Sequence, residues 1–250
     1  QTCALPICPT VVTGNITGDT AWSGSVRLES LVFVESGTLT IAPGTVIEGV
    51  VGSALVISTG ARIEAVGTAE SPIVFTSAKV PADRVPGDFG GVVLLGRAPI
   101  NVGSSNIEGM EASALSSYGG SDAAHDCGTL RYVRIEYAGS VFGTDNELNG
   151  LTIGGCGTGT DMSFIQVHKG LDDGIEFFGG TAGIRNAVVT QAGDDGFDWD
   201  EGWAGNAQFI VVQQAADDGD KGIEADNLED NNDATPRSDR KSTRLNSSHA

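Results

Sequence analysis

The chemistry this chain offers is that of carboxylates held at a fixed spacing. Three phrases carry them: Gly-Leu-Asp-Asp-Gly-Ile-Glu-Phe-Phe at 170–178, Gly-Asp-Asp-Gly-Phe-Asp-Trp-Asp at 193–200, and Gly-Asp-Lys-Gly-Ile-Glu-Ala-Asp at 219–226. Gly174, Gly196 and Gly222 lie 22 and 26 residues apart, and aligning them superposes the phrases residue on residue. Asp172, Asp194 and Asp220 then form one column, Asp173, Asp195 and Lys221 a second, and Glu176, Asp198 and Glu224 a third. Two carboxylates stacked about 5 Å apart repel by about 0.8 kcal/mol in bulk water and about 3 kcal/mol at an effective dielectric of about 20. Solvent exposure, protonation, basic neighbours or a bound divalent cation must offset that repulsion. Oxygen donors without a Cys/His cluster argue against zinc and suit calcium best among common metals. The candidate calcium ligands are Asp172, Asp173, Glu176, Asp194, Asp195, Asp198, Asp200 and, at an edge, Asp226. Lys221 stands ready to neutralise the third phrase without a metal, and a solvated acidic face is the alternative to a calcium site.

The same residues raise the question of catalysis. Asp195 with Asp198, or Glu176 with Asp198, have the residue types of a glycosidic acid–base pair, and His168 beside Lys169 has those of a general base. Each has a blander reading. A lone His next to a Lys is most often a surface pair, and carboxylates recur on a repetitive ladder because the coil recurs. No residue is therefore assigned a catalytic role. Phe177, Phe178, Trp199 and Trp203 form a sugar-stacking platform only if exposed, and alternation sends Phe177 and Trp199 to the core.

The elements that position these groups follow from the repeat. A period in the twenties with one short apolar run per repeat predicts an all-β solenoid. Ile175, Phe197 and Ile223 point inward and the acidic columns outward. Short β-branched runs separated by Gly, Pro or Ser begin at Leu31, and repetition in one direction with few hairpin signals predicts parallel pairing. Stacked coils are expected over 31–77 and 130–226. Residues 10–30 are polar and turn-rich, with Trp22 their one large anchor. Residues 102–126 break the period and read as a plain insertion without chemistry, and 226–238 as a solvated acidic connection.

Cys127 precedes Ile135 by eight residues and Cys156 precedes Ile165 by nine. If those isoleucines centre successive strands, the cysteines lie within disulfide reach, which favours an oxidising compartment. Two buried thiols are the alternative.

The ends read differently from the rest. One codon choice for Asp239–Leu245 is the reverse complement of one for Gln1–Ile7, and both resemble translated sequencing adapter. Residues 1–7 and 239–250 are therefore expected to be artefactual, and 8–238 to be one β-helix domain, truncated at both ends. Against 33 acidic residues stand 14 basic ones, a net charge of −19. That excludes nucleic-acid binding by counterion release and argues against anionic membranes. It favours cations or neutral, hydroxyl-rich partners. No apolar run is long enough for a transmembrane helix.

A resemblance adds to this reading. Gly-Thr-Leu-Thr-Ile-Ala-Pro-Gly-Thr-Val-Ile-Glu-Gly (37–49), Gly-Asp-Phe-Gly-Gly-Val-Val-Leu-Leu-Gly-Arg-Ala-Pro-Ile-Asn (87–101), Cys-Gly-Thr-Leu-Arg-Tyr-Val-Arg-Ile-Glu-Tyr-Ala-Gly (127–139) and Asn-Glu-Leu-Asn-Gly-Leu-Thr-Ile (146–153) join the Asp-Asp-Gly phrases. Together they resemble a family of secreted or surface-attached bacterial right-handed parallel β-helix proteins, over nearly all of 14–238. The resemblance implies a fold and an extracellular or outer-surface location, but no activity. A polysaccharide or another cell-surface component is the partner such a location suggests. The competing class is a polysaccharide lyase or glycoside hydrolase, suggested by other enzymes of this fold.

Overall fold

Short apolar runs that recur in one direction have their own successors as nearest partners, and the chain pairs that way. The computed structural model describes residues 8–143, 146–228 and 230–238. The ends set aside above, 1–7 and 239–250, lie outside them. Seventeen strands wind into a parallel β-helix with two principal faces. One face carries four-residue strands, Ala54–Ile57, Val92–Leu95, Leu151–Gly154, Ile175–Phe178 and Phe197–Asp200. The other carries the longer strands Gly128–Glu136, Asp161–His168, Gly183–Thr190 and Ala207–Gln213. The strand Leu31–Ile41 serves both, pairing through Leu31–Val34 on the short-strand face and through Gly37–Ile41 on the long-strand face.

The register places like residues above one another. Val32, Leu55, Val92, Leu151, Ile175 and Phe197 form one inward column on the short-strand face. Ile223 continues it through a parallel bridge to Phe197. All are buried except Ile223, which is 38% exposed at the last described coil. Phe177 and Trp203 pack in the same core, with Trp199 partly buried against it. The aromatic platform is therefore largely interior.

Two sequence expectations need correction. The stack begins before Leu31: Thr10–Val12, Ile16–Thr17, Thr20–Trp22 and Ser25–Leu28 all pair parallel to later strands. Val26 and Leu28 supply buried inward positions there, although their neighbours are polar. Ile135 pairs with Val167 and Val133 with Ile165, two residues away from the register expected for the isoleucines. Cys127 and Cys156 nevertheless form a disulfide, with Cα atoms 5.9 Å apart.

The glycines of the first two acidic phrases, and Gly150 one coil earlier, have a packing cause, whereas a Cβ on Gly222 would meet nothing within 4 Å. A Cβ on Gly174 would lie 2.3 Å from Val189 Cγ1 and 2.6 Å from the Gly196 carbonyl oxygen. On Gly196 it would lie 2.3 Å from Val212 Cγ1, and on Gly150 2.4 Å from Val167 Cγ1. Valines of the opposite face thus press against a glycine column, and no side chain fits between them.

Two outcomes follow. Gly196→Ala lowers stability by about 1–3 kcal/mol through overpacking, read as a lower denaturant midpoint with unchanged m-value. Removing the disulfide with Cys156→Ser releases a loop spanning 29 positions and costs about 3.5 kcal/mol in the chain-entropy account. Unchanged midpoints in these variants contradict the packing and cross-link arguments respectively.

Candidate metal centre

Once Ile175 stacks on Phe197, Glu176 must stack on Asp198, and it does. The second aspartate of each phrase has a local task. Asp173 Oδ1 accepts the Asp195 amide at 2.8 Å, and Asp195 Oδ1 accepts the Lys221 amide one coil further on. Each carboxylate therefore ties its turn to the next.

The outward acidic column is not a solvated face. Asp173, Glu176, Asp195 and Asp198 are all buried, with Asp195 only 1% exposed. Over Glu176 the excursion at 102–126 contributes to the cover, through a hydrogen bond with its Glu108. Its hairpin, Ser105–Asn106 against Ser117–Tyr118, lies on the outside of the short-strand face. Ile107 and Tyr118 are buried there with Ala54, Val56, Val93 and Leu95, and Met110 packs against them. Tyr118 lies over Gly154, where a Cβ would come within 2.8 Å of its ring, and donates to Glu201 Oε2 at 2.9 Å.

Four trios of carboxylates, each with ligand atoms within 4.8 Å of one another, link the coils. They are Asp172–Asp173–Asp194, Asp173–Glu176–Asp198, Asp194–Asp195–Asp220 and Asp195–Asp198–Glu224. Six of the eight candidates are thus brought together, whereas Asp200 and Asp226 fall outside the trios. The third coil contributes Asp220 and Glu224 instead of Asp226. Lys221 does act on that coil, pairing with Glu224 Oε1 at 3.2 Å, with Asp195 Oδ2 at 4.0 Å and with Asp220. No lysine or arginine forms an ion pair with Asp173, Glu176 or Asp198 among the described residues.

Burial and like charges act together on proton affinity. Burial, then the neighbours Asp198, Asp172 and Asp195, push Asp173 up to about 9. Burial and Asp194 raise Asp172 to about 6. Burial raises Asp198 to about 6 and, with Glu224, Asp195 to about 7. Glu176 is driven well above the carboxylate range by burial, Glu108, Asp173 and Asp198. Glu108 itself, from the excursion, is raised to about 7 by burial of its carboxyl and by Asp172. The sequence reading missed it. Its one local signal is the Ile-Glu pair at 107–108, the same order as in Gly-Ile-Glu of the acidic phrases.

Geometry does not favour catalysis by the residues first considered. Glu176 and Asp198 hydrogen-bond each other in a buried setting. A surface hollow of about 500 Å³ is lined by Gly193, Asp194 and Gln214–Asp220 and reaches neither of them. His168 lies on the long-strand face, with Nδ1 2.7 Å from Thr190 Oγ1 and its ring edge-on to Tyr137. Among the described residues, no helix is long and apolar enough to cross a membrane.

Residues 14–246 match a family model described as a pectate-lyase-like beta helix domain. That match runs past residue 238 into the stretch outside the described residues. No curated protein and no solved structure matches the chain.

The raised proton affinities fix the sign of a pH dependence. Between the ordinary carboxylate values of 3.8–4.5 and the raised ones of about 6 to about 9, the folded chain holds more protons than the unfolded chain. Stability contributed by these groups is full below that window and is lost as pH rises through it. In chelator, the melting temperature should fall from pH 5 to pH 8, and Glu176→Gln should flatten the slope. A wild-type profile that rises with pH over this range contradicts the buried ladder.

Proposed function

The chain belongs to the pectate-lyase-like β-helix family, and from that premise we propose that it is a secreted or cell-surface solenoid whose acidic ladder binds calcium. Its role in this reading is structural or ligand-binding, with a polysaccharide or another surface component as partner. One observation carries the metal: Asp173, Glu176 and Asp198 converge within 4.8 Å, buried, with no basic side chain paired to them among the described residues. Leaving such charges uncompensated is costly, and protons or a cation must supply the positive charge. At neutral pH a divalent ion competes well for oxygen donors of this kind. Calcium, with its tolerance of irregular geometry and 6–8 oxygen ligands, suits them better than magnesium's strict octahedron. The Cys127–Cys156 disulfide supports an oxidising compartment, and the net charge of −19 suits a chain that stays soluble there.

A second reading, polysaccharide cleavage, draws on the family description. It is tested by incubating the chain with polygalacturonate and calcium and following unsaturated product. Sustained product formation supports it, and none leaves the binding role.

Thermal melts test the metal directly. The melting temperature should rise with the logarithm of free calcium once calcium exceeds its dissociation constant, and magnesium should have a smaller effect. Asp198→Asn, which alters two of the four trios, should blunt the rise, while Lys221→Ala should not. Identical melts in chelator and millimolar calcium overturn the reading.

A further inference from the structure

The excursion over 102–126 does more than cover apolar surface. On the outside of the short-strand face, Phe33, Val56 and Val93 stack in one column, and the same column continues as Thr152, Glu176 and Asp198. The excursion matches that change of character residue by residue. Ile107 packs in the apolar cluster with Val56 and Val93, and the next residue, Glu108, hydrogen-bonds Asn149 and Glu176. Gly109 permits the close approach: a Cβ there would lie 2.7 Å from Leu148 Cδ2 and 3.0 Å from the Glu147 carbonyl oxygen.

Around this point buried polar atoms lack partners. Asn149 is 1% exposed; its Nδ2 donates to Glu176 Oε2 and its Oδ1 is unpaired, and rotating the amide by a half-turn presents that oxygen to Glu176's side of the cluster. Thr152, fully buried and in register with Glu176, has an unpaired Oγ1, and Asp198 Oδ1 is unpaired as well. Buried oxygens without a donor are costly, and a hard cation can accept electron pairs from several of them at once. Orphaned acceptors of a carbonyl and a hydroxyl, unlike the carboxylates, cannot be satisfied simply by protonating them at neutral pH.

We propose that Glu108, Asn149, Thr152, Glu176 and Asp198 form an enclosed calcium site between the excursion and the coils, so that one ion clasps the excursion to the solenoid. This rests on calcium binding by the ladder and adds two things to it. Ligands come from outside the repeated phrases, and the ion has a mechanical consequence for a segment distant in sequence.

Amide hydrogen exchange of the full chain, followed in peptides covering 105–118 alongside thermal melts, tests the clasp. At free calcium about ten times the dissociation constant, exchange there should slow by about tenfold relative to chelator. Glu108→Gln should abolish that slowing while the ladder's calcium-dependent rise in melting temperature persists. Asn149→Ala should weaken the slowing in the same way. If calcium raises the melting temperature but leaves exchange over 105–118 unchanged, the clasp is wrong and the ladder stands. If neither responds to calcium, both are wrong. If Glu108→Gln retains full calcium-dependent slowing, Glu108 is not a ligand and the clasp is overturned.

Discussion

Parallel strands in register place each residue above its counterpart at about 4.8 Å, and the structure depends on what that does to each residue type. For Val32, Leu55, Val92, Leu151, Ile175 and Phe197 it builds a continuous apolar core. For the glycines at 150, 174 and 196 it opens a groove that the valines of the opposite face fill. For carboxylates the same stacking is unfavourable, because like charges cannot move apart without breaking the register that supports the core. The acidic columns therefore store repulsion that the apolar columns enforce.

The chain meets that repulsion in three ways. Some carboxylates become structural acceptors, as Asp173 and Asp195 do for the next coil's amides. The third coil places Lys221 where the first two place aspartates, and its Nζ gathers Asp220 and Glu224. Glu176 and Asp198 have neither remedy and are buried, with Glu108 of the excursion hydrogen-bonded to Glu176, which makes each additional charge costlier still. Covering a charge column with protein makes sense if the charge is neutralised there. Raised proton affinities at Asp173 and Glu176 supply protons up to and beyond neutral pH, and the proposed cation would displace those protons without surrendering the carboxylates' negative charge.

Much of this was legible in the sequence. Aligning three glycines gave the register of Ile175, Phe197 and Ile223 and of Glu176 over Asp198, because strand periodicity fixes which side chains share a face. A shift of two residues preserves that periodicity, which is why Ile135 could be set against Ile165 when its partner is Val167. The bends in the longer strands were also hidden. They fall at Tyr132, Phe164, Asn186 and Phe209, which occupy the left-handed region at φ of 51–60° without a glycine to announce it. Burial of the acidic column was illegible for a further reason. At Glu176 it involves a segment some sixty residues upstream folding over the face, and outward in a strand pattern is not the same as exposed. Glu108 gave no sign of its role because its partners meet it only after that fold-over.

The central claim is that the buried column is neutralised by a cation rather than by protons. Anomalous scattering from crystals grown at neutral pH with calcium tests it most directly. The account predicts a peak between Glu176 and Asp198, with oxygen ligands at about 2.3–2.6 Å. Clear density for both carboxyls, still hydrogen-bonded to each other with no peak between the coils, would contradict it.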